Sequence, residues 1–177
     1  MRLGRTLVVC VLPALLLVAC GGGGSSPSAS SSTSTSLTGF ISQADAFCTA
    51  ASASAAAVPR PTGVASIGNP SAGDLPALAT YWGDAVTVFS AFDSQLKGLG
   101  TPPSKQTLWS QAITDLDGLV VDVQTLHVAA VSGDLNAYKS AYSKFESDGS
   151  VANMAFTQFG FTKCGGGSTP SATPSPT

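Results

Sequence analysis

The chain has 177 residues, with eight basic and ten acidic side chains and a formal net charge of −2. Charged residues make up only 10 % of it, against a usual ~25 %; Ala, Ser, Thr and Gly take their place. The length fits one domain with tails. The charge offers no clustered Lys and Arg for nucleic acid, and it leaves few acids and bases from which to build an active site.

Arg2 and Arg5 precede an apolar run from Thr6 to Ala19. The run has the length of an export signal and falls short of the ~20 residues a membrane-spanning helix needs. Pro13 weakens a spanning helix further. The run closes on Leu17-Val18-Ala19-Cys20, which resembles the lipobox of bacterial lipoproteins. That resemblance implies lipidation of the Cys20 thiol and removal of residues 1–19, so that Cys20 leads the mature chain. The alternative is an ordinary secretory cut nearby. Acyl chains at ~0.8 kcal/mol per buried methylene would hold the protein on the extracytoplasmic face of the cell membrane. Without Arg2 and Arg5, six basic residues face ten acidic ones, and no polybasic segment strengthens contact with anionic lipid. With Cys10 removed and Cys20 lipidated, Cys48 and Cys164 remain. An even pair in an oxidising compartment is expected to form a disulfide.

Gly21 to Gly39 is Gly, Ser and Thr with little that is apolar. It reads, with Cys20, as a flexible tether of about 25 Å mean span. Residues 40–164 read as the folded domain, with four helices. Ser42-x-x-Asp45 is expected to cap the first, with Ala44, Phe47, Ala51, Ala55 and Val58 on its seam. Pro59 and Pro61 end it. The loop from Arg60 to Gly73 is long enough to carry function. Asp74 caps the second helix. Its seam runs Leu75, Leu78, Trp82, Ala85, Phe89, Phe92, Leu96, Leu99 in alternating steps of three and four. Gly98 and Gly100 end it. Pro103 suits the first position of the third helix, whose face carries Leu108, Ala112, Leu116, Leu119, Val123, Leu126 and Ala130. Gly133 stops that helix, and Asp134 at once caps a fourth. Leu135, Tyr138, Tyr142, Phe145, Ala152, Phe156 and Phe159 form its seam, with a kink or short break expected near Gly149. Gly160 ends it. Residues 165–177 are Gly, Ser, Thr and Pro, a composition expected to stay disordered.

Short connections between consecutive helices predict an all-α, up-down-up-down four-helix bundle. That topology puts the start of the first helix and the end of the fourth at one end, bringing Cys48 and Cys164 together.

The lipobox, Cys48 in an early helix, Leu96-x-x-Leu99-x-Thr101-Pro102-Pro103, Gly133-Asp134 and Gly160-Phe161-x-x-Cys164 occur in an order that resembles small helical lipoproteins and secreted proteins of actinobacteria. The resemblance implies the bundle and the disulfide. It brings no catalytic residue, because that group has no assigned activity.

His127, the lone histidine, sits near the end of the third helix, where a structural role at the helix dipole outweighs a catalytic one. Asp115, Asp117-Gly118 and Asp122 fail the spacing of a calcium loop, which needs its glycine at position six and a glutamate at twelve, and read as a solvated acidic face. Trp82, Phe89, Phe92 and Phe156 are the candidate lining of an apolar pocket; the same residues also describe ordinary core. No catalytic set, metal site or cofactor is expected. The favoured reading is a lipid-anchored, non-enzymatic module that binds an envelope protein, glycan or lipid, with the Arg60–Gly73 loop as its candidate surface. The alternative is a carrier of an apolar ligand between the helices.

Overall fold

A computed structural model describes residues 36–164. The signal segment, Cys20, most of the tether and the tail after Cys164 lie outside the described residues.

Four helices follow in order: α1 (Leu37–Ala57), α2 (Leu75–Gly98), α3 (Gln106–Ser132) and α4 (Leu135–Phe159), with a 3₁₀ turn at Ala72–Asp74 before α2. Each packs on the next, giving the expected up-down-up-down bundle. No described helix is long and apolar enough to cross a membrane.

α1 starts five residues before Ser42. Ser36 caps it, its hydroxyl accepting from the Gly39 N–H at 3.1 Å. The earlier start has a packing reason: it carries Phe40 into the core, 5.0 Å from the Trp109 ring and edge-on to it. The buried face of α1 is therefore Phe40, Ala44 and Cys48, each four residues after the last. Beyond Cys48 the expected seam fades. Ala55 is exposed and Ala51 only half-buried. This half of α1 is helical because alanine favours helix, but its side chains are too short to fill the space beside them.

α2 follows its expected seam from Leu75 to Leu96. Asp74 stands at its N-cap position, yet its carboxylate turns back to accept from the Ser71 N–H and hydroxyl, both at 2.8 Å. Those two donors lower its pKa below the usual carboxylate value. α3 begins three residues after Pro103, because Pro102 is buried and Lys105 takes a left-handed backbone, φ 57°. That turn sends the Lys105 ammonium to the Phe159 carbonyl at 2.7 Å, a cation on the last turn of α4. Gly133, at φ 71°, ends α3. The Asp134 carboxylate accepts from Asn136 and Ala137 N–H groups at 3.0 and 2.9 Å. α4 runs unbroken through Gly149, so the helix is not interrupted there.

The core has two parts. One, at the α1 end, gathers Phe40, Leu96, Trp109, Leu116, Phe156, Phe159 and Phe161. The other, built by α2, α3 and α4 alone, gathers Leu75, Leu78, Trp82, Val123, Leu126 and Tyr138. Phe89 and Phe145 pack against both.

Candidate functional site: a groove beside α1

Cys48 and Cys164 are joined by a disulfide, with their Cα atoms 5.2 Å apart. Asp45, one turn earlier on α1, reinforces this end. Its carboxylate accepts from the Thr162 N–H at 3.1 Å, the Thr162 hydroxyl at 2.7 Å and the Lys163 N–H at 2.9 Å. Asp45 does not cap the helix; it clamps α1 to the segment after α4. Its carboxylate oxygen and both sulfurs lie within 4.8 Å of one another. The sulfurs are bonded to each other and the carboxylate accepts from Thr162 and Lys163, so all three are committed to the clamp.

Past the clamp, α1 and the other helices bound a groove of about 340 Å³, open along one side. Cys48, Ala51, Ser52 and Ala55 form its α1 wall. Val88, Phe89 and Phe92 of α2, Leu116 and Leu119 of α3, and Tyr142, Phe145, Ala152 and Phe156 of α4 form the floor and far wall. The groove exists because methyl groups and one hydroxyl face rings across it. Glu146, Asn153 and Lys163 supply its polar rim. Burial pushes the Tyr142 phenol pKa up, and the adjacent Glu146 charge adds to the shift.

Of the four aromatic residues expected to line a pocket, Phe89, Phe92 and Phe156 do so. Trp82 does not. It is 4 % exposed in the second core part, and its indole N–H donates to the Tyr138 hydroxyl at 2.8 Å. That hydroxyl donates in turn to the Ile67 carbonyl at 2.9 Å. Tyr138 is fully buried, and burial pushes its pKa up to about 12. The chain Trp82–Tyr138–Ile67 pins the Arg60–Gly73 loop. Val64 and Ile67 pack on the core there, and Gly68 lies so near the Tyr142 ring that a Cβ would sit 2.6 Å from it. A loop expected as an interaction surface thus joins the packing at Val64, Ile67 and Gly68, while Ala65 and Ser66 between them are exposed.

His127 is half-buried, with Nδ1 2.9 Å from the Ala79 carbonyl. A carbonyl only accepts, so Nδ1 donates, tying α3 to α2. The acidic face is not uniformly solvated. Asp117 pairs with Lys97 of α2, and Asp115 accepts from Gln111 at 2.8 Å. Asp122 is 3 % exposed and accepts from Lys144 of α4 at 2.6 Å. Asp117 and Asp122 therefore bridge neighbouring helices, Asp115 bonds within α3, and none of the three shares a hydrogen-bond partner with His127. Lys144 also holds Asp148 at 2.6 Å and lowers that carboxyl's pKa.

Sequence reasoning gave Asp45 a capping role and missed its clamp on Thr162 and Lys163, and it missed the groove's α1 wall. The second had a signal: Ala51, Ser52 and Ala55 face a seam of Phe residues, a mismatch in size that leaves space. Comparison with protein-family models, curated proteins and solved structures finds no match to the chain.

Proposed function

We propose that this protein is a membrane-anchored, extracytoplasmic lipoprotein that acts without catalysis, as a binding module taking an apolar ligand in the groove beside α1. The observation that carries the reading is the groove itself: about 340 Å³, walled by alanine on one side and phenylalanine on the other. Its volume lies in the range of small-molecule sites. Among envelope protein, glycan and lipid, the apolar lining favours lipid, since a glycan needs converging hydrogen-bond partners that these walls do not offer. The Leu17–Cys20 stretch and the likeness to small actinobacterial lipoproteins support the anchor. The non-enzymatic reading draws on His127, which is committed to the Ala79 carbonyl, and on aspartates committed to lysines.

The test is mass spectrometry of the protein isolated from its own host, under non-denaturing and denaturing conditions. An adduct of lipid mass that disappears on denaturation is expected, over a chain that begins at Cys20 and carries acyl groups. Identical masses in the two conditions would remove the ligand, and an unmodified chain mass would remove the anchor.

A further inference from the structure

We infer that the groove takes a single-chain amphiphile with an anionic head, of the long-chain carboxylate class, with its chain over Phe89, Phe92 and Phe156 and its head at Lys163. The inference rests on the proposed apolar binding and adds the ligand's shape and polarity.

Shape comes first. Along α4 the lining extends from Tyr142 to Phe156, about 21 Å at 1.5 Å per residue. The lining is mainly apolar along that length, a shape that one extended alkyl chain follows. The walls agree: between Ala51 and Ala55 on one side and the phenylalanine rings on the other, an alkyl chain leaves no polar group of its own unpaired.

Polarity orients the chain. Glu146 stands beside Tyr142 at one end of the groove, and Lys163 beside the Cys48–Cys164 bridge at the other. The Lys163 ammonium forms no ion pair among the described residues. The nearby Asp45 carboxylate turns to the Thr162 N–H and hydroxyl and the Lys163 backbone N–H, and makes no ion pair with the Lys163 ammonium. An anionic head is therefore attracted to the Lys163 end and repelled from the Glu146 end, and a cationic head would meet the reverse. Asn153, on the same half of α4 as Phe156, adds an amide donor to the rim.

The experiment is calorimetric titration of the oxidised full chain with dodecanoate, dodecanol and dodecyltrimethylammonium, each below its micelle concentration. Dodecanoate is expected to bind at least tenfold more tightly than the ammonium amphiphile. Lys163→Gln is expected to abolish that preference, and Lys163→Glu to reverse it. Ala55→Trp, on an exposed α1 position that faces the groove, is expected to block all three chains with the helical circular dichroism unchanged. Equal dodecanoate affinity in wild type and both Lys163 variants, with Ala55→Trp still blocking, would overturn the head assignment and leave the apolar groove in place. Failure of all three chains to bind, or binding that survives Ala55→Trp, would overturn the groove as the site.

Discussion

α1 and the α2–α4 unit are held by different physics. The three later helices share two aromatic core parts whose members include Trp82, Leu126, Tyr138 and Phe159, buried to a few per cent or less. α1 enters only one of those parts, through Phe40 and Ala44, with Leu37, Ile41 and Phe47 packed partly against it. In place of apolar area it has a disulfide and the Asp45 clamp, both near one end. The difference teaches how a small domain keeps a groove. Burying another large side chain from α1 would fill the space, whereas a covalent pin near one end holds the helix and leaves its alanine half standing off the rings.

That contrast predicts an order of effects. Phe159→Ala strikes the core at the ring that meets Phe40, Trp109 and Phe161. It is expected to cost ~3–5 kcal/mol in chemical denaturation, with all helices lost together. Cys48→Ser releases a bridge spanning 116 positions and is expected to cost ~2–4 kcal/mol, with the loss falling on α1. An equal loss of protection in all four helices would erase the distinction between the two regions.

Tyr138→Phe leaves the Trp82 indole N–H and the Ile67 carbonyl unpaired, for ~1–3 kcal/mol. It also carries a pH signature. With the folded phenol pushed up to about 12 from 10.0, the native state retains a proton that the unfolded state gives up. Stability is then full below pH 10 and falls as pH rises toward 12. Tyr142 contributes in the same direction. Alkaline titration of the melting temperature is expected to show a shallower fall in the Tyr138→Phe variant. The smallest effect is Asp45→Asn, which keeps the shape of the clamp and weakens its charge-assisted bonds, for about 1 kcal/mol. Its denaturation curve should shift modestly while α2–α4 keeps its near-ultraviolet signal.

The sequence was most legible where apolar periodicity decides the structure. The α2 seam, the Gly133-Asp134 turn and the pairing of Cys48 with Cys164 all follow from spacing, turn chemistry and bundle topology. Boundaries were less legible, because a tertiary contact sets them: Phe40 draws α1 upstream to Ser36, and Lys105 reaches for the Phe159 carbonyl and delays α3. Trp109 escaped because Leu108, one residue earlier, fits the same stripe nearly as well. Asp122 looked solvated on its own helix; its burial comes from α4, which brings Lys144 over it. The groove was half legible. Three of its rings were visible in the spacing, while its open space depends on what α1 lacks, and Trp82 was drawn away by the Tyr138 hydroxyl.

The most direct measurement of the central claim is amide hydrogen exchange on the oxidised and reduced protein. With the disulfide intact, α1 should exchange slowly from Phe40 to Cys48 and faster from Ala51 to Ala57. On reduction, all of α1 should lose protection while Leu78, Val123, Leu126 and Tyr138 keep theirs. If α1 remains as protected as α3 after reduction, apolar packing alone holds it, and the groove is not the product of a helix pinned near one end.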